Sequence, residues 1–413
     1  EQFGIARSTI KKAFEKAIAA SNEYEAEITK YNRDILEQNK DTQKLTVLLA
    51  GRPYHTDPLI QHQLSDMISA MGANVITEDT VRGLDIEIND VNFISQWAYT
   101  NRILKAAEWA AKQDKHIQFM QMTSFGCGPD AFLTDETHNL LRRHGKTLTL
   151  LKIDDVSNLG SLKLRVRSVI ESLKLSMQKT QENETLPFMQ TPIFREKDKY
   201  RKIIAPFFTP FISPLIPPLM GLAGYDVDNL PVSDSQSCEW GLKYANNEVC
   251  YPATLIVGDI VKAFKTGKYD PQNTAVAITQ TGGQCRASNY ISLIKKALIE
   301  SGFKDVPVIS ITANSGINNN QPGFKINWIK VLPIVVTSLL YSDCLAKFYY
   351  ASVIREKEKG MAALLLDHYM NAAIEAIRKN SVNEIWNLLS SAAQTFNKII
   401  LDKDTAQIGI VGE

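Results

Sequence analysis

The stretch LTVLLAGRPYHTDPLIQHQLSDMISAMGANVITED (45–79) decides the fold class of this chain. A nearly continuous apolar run, predicted as a strand over 45–51, leads through a loop into an amphipathic segment, which Gly72 ends. A second apolar run follows at once (73–79). Apolar runs that alternate with helical segments are typical of a parallel sheet covered by helices on both faces. The stretch therefore predicts a β-α-β unit.

The same alternation continues along the chain. Strands are predicted over 116–122 and 147–154, each next to a helical segment. A polar stretch without a clear period (175–199) follows, and then the alternation resumes with strands predicted over 202–208, 225–231, 273–279 and 306–312. We predict an α/β protein with two Rossmann-like, doubly wound parallel-sheet domains and a helical C-terminal region.

The domain organisation follows from these segments. A helical arm is predicted first, with a rough apolar stripe expected to pack on the body: Phe14, Ile18, Tyr24, Ile28, Tyr31 and Ile35. The predicted parts are the N-terminal helical arm (1–43), a first Rossmann-like domain (44–174), a linker (175–199), a second Rossmann-like domain (200–325), a helical region (326–405) and the start of a truncated further strand (406–413).

Composition narrows the class of protein. The chain has 46 basic and 45 acidic residues among 413, a net charge of +1, which is not the basic footprint of a nucleic-acid binder.

The most apolar stretch (331–341) contains Pro333 and is shorter than the ~20 residues of a membrane span. The start has no signal-peptide pattern and no Met, so a fragment of a longer polypeptide is the simplest account. Five scattered cysteines favour a reducing, cytoplasmic compartment over a disulfide framework.

Three cysteines occupy similar places. Cys127 and Cys285 each follow a predicted strand in a Gly-bearing βα turn, where open α/β sheets bind ligands. Cys250 precedes a helix that Pro252 is expected to start. Helix N-termini favour the thiolate, the form that binds iron. The alternative is that each of these three cysteines is a buried, inert thiol. For the other two cysteines, Cys238 and Cys344, a buried, inert thiol is the interpretation we adopt.

The first βα loop, GRPYHTDP (51–58), supplies further candidates. Arg52 is suited to hold a phosphate or a carboxylate, and His55 or Tyr54 to donate a proton. The alternative is loop capping and surface packing. The two cysteine loops are also candidates to cradle a nucleotide phosphate, although neither has a GxGxxG or GxxxxGK[ST] pattern.

Several blocks of the chain resemble the C-terminal region of large acyl-CoA dehydratase activase-related proteins. These belong with the activators and components of the 2-hydroxyacyl-CoA dehydratase and benzoyl-CoA reductase superfamily. The resemblance runs from about residue 45 to the end, and the blocks that carry it are AGRPYHTDPLI, SFGCGPDAF, LLKIDDVSNLG, GLKYANNEVCYPATLIVGDIVKAF and AITQTGGQCRASNYISLIKKAL.

The resemblance implies Rossmann-like domains around an iron–sulfur cluster, with Cys127, Cys250 and Cys285 at the cysteine positions of the family blocks. It also implies low-potential electron donation, driven by ATP in a separate activator module of the actin and sugar-kinase type. We therefore expect a [4Fe–4S] or related cluster, which air can remove. Arg52 and His55 are expected near its open face as candidate catalytic residues.

The expected partners are the ATP-binding activator module and an acyl-CoA or other small substrate, and pairing into a homodimer stays open. As a fragment without the nucleotide-binding module, the chain is not expected to be active alone. Two alternative functions remain. One is a CoA- or nucleotide-binding Rossmann-like module with the cysteines as bystanders, and the other is a non-catalytic scaffold segment of a larger activase.

Overall fold

The computed structural model describes residues 4–88, 91–92, 97–124, 128–153, 159–177, 187–280, 286–312, 319–406 and 408–409. Cys127 and Cys285 lie outside these residues, and so does most of the strand predicted over 406–413. The chain divides into two compact units. Unit 1 comprises Glu1–Gln190, Asn246–Tyr251 and Gln284–Leu293, and unit 2 comprises Thr191–Ala245, Pro252–Gly283 and Ile294–Glu413.

Unit 1 is built on a parallel four-stranded sheet. Its elements are α1 (Arg7–Thr42), β1 (Thr46–Ala50), α2 (Leu64–Ala70), β2 (Asn74–Thr77), α3 (Ala98–Ala111), β3 (Ile117–Thr123), α4 (Pro129–Arg143), β4 (Thr149–Lys152) and α5 (Leu159–Met177). The strand order is β2-β1-β3-β4, and every pairing is parallel. Thr46 pairs with Asn74 on one side and with Ile117 on the other.

The apolar strands of this sheet carry helices on both faces. Val47, Met120 and Leu151 pack on one face against side chains of α2 and α5 such as Ile68 and Val166. Helix α3 contacts β1 and β3 and packs against α4. Strand residues 46–50 and 117–123 are all buried, as a doubly covered parallel sheet requires.

The arm packs on unit 1 through a different face from the one predicted. Its buried residues are Thr29, Asn32 and Asn39, whereas Phe14, Tyr24 and Tyr31 of the predicted stripe are exposed. Asn32 Nδ2 donates to Thr77 Oγ1 at 2.9 Å, and Asn39 Nδ2 donates to Thr46 Oγ1 at 3.0 Å. The contact is polar because the helix lies beside the polar side chains of β1 and β2 rather than on an apolar face.

Unit 2 carries the second parallel sheet. Its elements are β5 (Lys202–Ala205), α6 (Ile216–Leu222), β6 (Val227–Asn229), α7 (Ser235–Tyr244), most of α8 (Tyr251–Lys265), β7 (Thr274–Gln280), most of α9 (Tyr290–Glu300), β8 (Val308–Thr312), α10 (Trp328–Val353), α11 (Met361–Arg378) and α12 (Val382–Lys398). The strand order is β6-β5-β7-β8, again parallel. The two parallel sheets with their helices confirm the predicted α/β fold class.

The C-terminal helices form a core of their own within unit 2. Tyr341, Leu345, Tyr369 and Phe396 are buried where α10, α11 and α12 meet, and Tyr341 Oη donates to the Tyr369 carbonyl at 2.8 Å. Helix α10 is long and apolar enough to cross a membrane by length and composition, with Pro333 inside it. Among the residues described it is the one helix of that kind, and a core helix of a soluble protein passes the same test.

Candidate functional site

The carboxyl edge of the sheet in unit 1 gathers polar side chains. In the order β2-β1-β3-β4, the chain adds β2 on one side of β1 and then returns to add β3 and β4 on the other side. The gap between β1 and β3 is therefore the topological switch point, where open α/β sheets bind ligands. Arg52 follows β1, Ser124 follows β3, and Asp130 lies in the first turn of α4. The predicted residues Arg52 and His55 therefore lie where this fold places ligands.

Asp130 fixes the orientation of Arg52. Nε of Arg52 lies 3.0 and 3.2 Å from the two carboxylate oxygens of Asp130, which is buried. The first turn of a helix is favourable for a carboxylate. The two Nη atoms of Arg52 have no hydrogen-bond partner within the described part of the chain, and the side chain is 28% exposed. The arrangement presents an oriented guanidinium edge suited to an anion.

His55 is fully buried, and its tautomer follows from its contacts. Nδ1 accepts the backbone N–H of Arg52 at 3.0 Å, so the ring proton sits on Nε2, which lies 2.8 Å from Oγ of Ser124. Burial, reinforced by the positive charge of Arg52, lowers the pKa of His55 to about 4. His55 is therefore a neutral donor to Ser124 that holds the loops after β1 and β3 together.

Two neighbours shape this loop. A Cβ on Gly51 would stand 2.7 Å from Nδ1 of His55, so the close approach of the ring requires glycine there. Tyr54 packs edge-on against the His55 ring, with centroids 4.5 Å apart. The Tyr54 hydroxyl is buried without a hydrogen-bond partner among the described residues.

Glu78 is a buried acid at the same edge that the sequence analysis missed. It directly follows β2 and is 3% exposed. Burial raises the pKa of Glu78 to about 7, while Arg102 and the backbone N–H groups of Glu78 and Gly51 favour the charged form. The signal available in the sequence was an acidic residue placed immediately after an apolar strand, in NVITED (74–79).

Cys250 is the one predicted ligand that the structure describes. It immediately precedes α8, whose second residue is Pro252, and the thiol is half-buried. Its Sγ lies 3.0 Å from the hydroxyl of Tyr290, the first residue of α9. The thiol is thus at a helix N-terminus, as predicted, and next to a hydroxyl that the prediction did not include.

The chain segments beside the three cysteines converge on α4. Asn246 Nδ2 donates to the Ala131 carbonyl at 2.8 Å and to Asp135 Oδ2 at 2.5 Å. The rings of Phe132 and Tyr290 are stacked with centroids 6.4 Å apart. Helix α4 begins two residues after position 127, and Tyr290 lies five residues after position 285. The segments 246–251 and 284–293 accordingly belong to unit 1 although they flank elements of unit 2.

The other two cysteines lie in unit 2. Cys238 is in α7 and Cys344 is in α10, and each is a half-buried free thiol. Within the residues described, no group of three or more His, Cys, Asp and Glu side chains is placed to hold a metal ion. Positions 127 and 285 are not among those residues, so the predicted ligand set remains a prediction.

Comparison with known proteins identifies the N-terminal part of the chain. Residues 1–81 match the family model described as the CoA enzyme activase uncharacterised domain. The matched region contains the arm, β1, the Gly51–His55 loop and β2 with Glu78. A comparison with curated proteins gives no match. The match agrees with the activase-related resemblance of the sequence blocks, and it shows that residues 1–81 are similar to the CoA enzyme activase domain.

Proposed function

We propose that this chain holds a cysteine-bound iron–sulfur cluster in an ATP-driven, low-potential electron-transfer system related to the 2-hydroxyacyl-CoA dehydratases and their activators. Cys127, Cys250 and Cys285 are the proposed ligands of a [4Fe–4S] or related cluster. The observation that carries the proposal is the position of Cys250 inside unit 1: its own segment contacts α4 through Asn246, and the segment that follows position 285 contacts α4 through Tyr290. Helix α4 itself begins two residues after position 127.

The chemistry of the donors supports this proposal. Thiolates are the ligands that iron–sulfur clusters take, and backbone N–H groups at a helix N-terminus stabilise them. A hydroxyl that donates to a ligating sulfur tunes the cluster, and Tyr290 is 3.0 Å from Cys250 Sγ. When bound, a cluster would supply one-electron transfer, and three thiolates would leave one iron of a [4Fe–4S] cluster for another ligand.

The proposal extends to compartment and partners. A separate ATP-binding activator would supply the driving force, and an acyl-CoA or other small molecule would be the final acceptor. A reducing cytoplasm suits five cysteines of which the described ones, Cys238, Cys250 and Cys344, are free thiols.

Anaerobic purification, followed by reconstitution with iron and sulfide, tests the proposal. We expect a brown protein with broad absorption near ~400 nm and bound iron and sulfide in matched amounts. Cys250→Ser should lose most of the iron. Cys344→Ser and Cys238→Ser are matched controls, since both thiols are half-buried on helices of unit 2 and should leave the iron content unchanged.

The thermal midpoint of each variant shows whether it has folded, so that loss of iron is not confused with loss of structure. A colourless, iron-free protein under strict anoxia would refute the cluster. Equal iron in folded Cys250→Ser and Cys344→Ser would refute the ligand assignment.

A second candidate function is the binding of CoA or a nucleotide at the edge of the sheet in unit 1. The observation in its favour is Arg52, whose guanidinium is oriented by Asp130 at the switch point between β1 and β3. Calorimetric titration of the iron-free protein with CoA and with ATP tests it. Binding that Arg52→Gln weakens would support this function, and unchanged binding would place the ligand elsewhere.

A further inference from the structure

The N-terminal half of α1 has an apolar face that nothing within the described part of the chain covers. Every residue from Arg7 to Tyr24 is exposed, and burial of the helix against unit 1 begins only with Glu25 and Thr29. Ile10 is 50% exposed and Phe14 is 65% exposed. A helix of this length without tertiary packing is marginal in water, so this half of α1 needs a partner surface.

The sequence of this half has the repeat of a two-stranded coiled coil. Apolar and small residues recur at alternating spacings of four and three, at Ile10, Phe14, Ala17, Ser21, Tyr24 and Ile28. Ile28 is half-buried against unit 1. The repeat therefore covers the exposed half and ends where the helix docks on its own unit.

The repeat is symmetric about Ala19. Ile10 and Ile28 are each nine residues from that centre, Phe14 and Tyr24 are five residues from it, and Ala17 and Ser21 are two residues from it. Two copies that run antiparallel across this centre would bring Ile10 against Ile28 and Phe14 against Tyr24 of the second copy. Every layer of the seam would then be filled.

The charges of the helix also favour the antiparallel arrangement. Its first three turns are basic, with Arg7, Lys11, Lys12 and Lys16 against the single acid Glu15, whereas Glu23, Glu25 and Glu27 make the next part acidic. Antiparallel copies bring the basic part against the acidic part, and parallel copies bring like charges together. Lys11 and Glu25 each directly follow a seam residue on the same edge, so an antiparallel pair brings Lys11 near Glu25, whose carboxylate also pairs with Arg82 of its own chain at 2.8 Å.

We propose that two copies of this chain pair through residues 10–28 of α1 as an antiparallel two-stranded coiled coil centred on Ala19. The overlap of 19 residues is about 28 Å long at 1.5 Å per residue. The helix meets its own unit from Glu25 onward, at the very end of the overlap, so the seam from Ile10 to Tyr24 is accessible to the second copy. The inference is independent of the cluster, since it rests on α1 alone.

Sedimentation velocity of the full chain, over a concentration series, tests the pairing. We expect a dimer for the wild-type chain and at least about tenfold weaker association for Phe14→Glu, because a buried unpaired carboxylate costs more than 1.4 kcal/mol. Ala19→Glu is the matched control. It adds the same charge to the outward face of the same exposed helix and should leave the dimer intact.

Cross-linking tests the orientation. Ala20 flanks the seam, so Ala20→Cys places two thiols on the same edge at the centre of an antiparallel pair, and a short bis-maleimide should join them above the wild-type background. In a parallel pair these positions lie on opposite sides of the seam. Ala19→Cys, one residue away, points outward and should stay uncross-linked.

A wild-type chain that remains monomeric at about 100 μM, well above the range of stable specific interfaces, would overturn the proposal. So would a dimer that survives Phe14→Glu, or a dimer in which Ala20→Cys does not cross-link. Slow amide exchange over residues 7–24 in a monomer would assign the covering surface to another part of the same chain.

Discussion

Nε2 of His55 donates to Oγ of Ser124 at 2.8 Å, because Nδ1 of the same ring already accepts the backbone N–H of Arg52. The contact joins the loops after β1 and β3 at the edge of the sheet in unit 1. The direction of donation matters, since a histidine that donates to a serine cannot at the same time withdraw its proton. With His55 neutral, its hydrogen bond to Ser124 therefore has a structural role: it holds together the two loops that flank Arg52.

His55 is expected to make folding sensitive to acid. Its pKa is about 4 in the folded chain and 6.5 as the ordinary value, so the unfolded chain binds the extra proton in between. The stabilisation is present above pH 6.5 and is lost as the pH falls towards 4. The control is His55→Asn, which keeps an acceptor for the backbone N–H of Arg52 but does not titrate. Relative to this variant, the free energy of unfolding of the wild-type chain should fall by on the order of 2 kcal/mol from pH 7.5 to pH 5. Urea unfolding at both pH values measures this, and parallel curves for the two proteins would contradict it.

Glu78 is expected to act in the opposite direction. Its pKa is raised to about 7, so the folded chain binds the extra proton between pH 4.5 and 7. The stabilisation of the fold by Glu78 is fully present below pH 4.5 and is lost as the pH rises through 7. Relative to Glu78→Gln, the wild-type free energy of unfolding should fall by on the order of 2 kcal/mol from pH 5 to pH 7.5. The exposed Glu375→Gln is the control and should show no such difference. Since the His55 and Glu78 effects oppose one another, the wild-type curve alone conceals both.

Gly258→Ala is expected to separate α7 from α8. A Cβ at Gly258 would overlap the backbone carbonyl of Ser237, and one at Gly241 would overlap that of Thr254, so the two helices cross with their backbones in contact. Overpacking of this kind costs about 3 kcal/mol or more, and the thermal midpoint should fall. Gly221→Ala, a helical glycine with open space around it, should change stability by less than about 1 kcal/mol. Similar midpoints for both variants would contradict the close crossing.

Lys146→Met is expected to weaken the junction between α3 and β3. The buried ammonium donates to the carbonyls of Ala110, Asp114 and Ile117 at 2.6, 2.9 and 2.9 Å. Methionine fills a similar volume but leaves these acceptors without a donor, which costs about 2 to 3 kcal/mol. Chemical denaturation measures the loss, and the exposed Lys347→Met should show almost none. A stable Lys146→Met variant would indicate that water replaces the ammonium.

The order of strands and helices was predictable because it depends on short-range periodicity. The run 45–50 has no polar interruption except Thr46, and the structure buries the whole of β1. The same reasoning was wrong about which face of α1 packs on the body. An apolar stripe indicates where a helix prefers to be covered, whereas Asn32 and Asn39 dock it through hydrogen bonds to specific side chains. Hydrogen bonds between side chains that lie seven residues apart (Asn39 and Thr46) or 45 residues apart (Asn32 and Thr77) leave no periodic signal in the sequence.

The sequence by itself determined the α/β class, the two parallel sheets and the resemblance to activase-related proteins, because apolar periodicity and family motifs are local properties of the chain. It also placed Arg52 and Cys250 next to the ends of secondary-structure elements. Only the tertiary structure decided that the segment holding Cys250 joins unit 1, that Tyr290 meets its thiol and that Glu78 is buried beside Gly51. These contacts depend on which loops pack together in three dimensions, and burial then changes the charge states of the side chains they enclose.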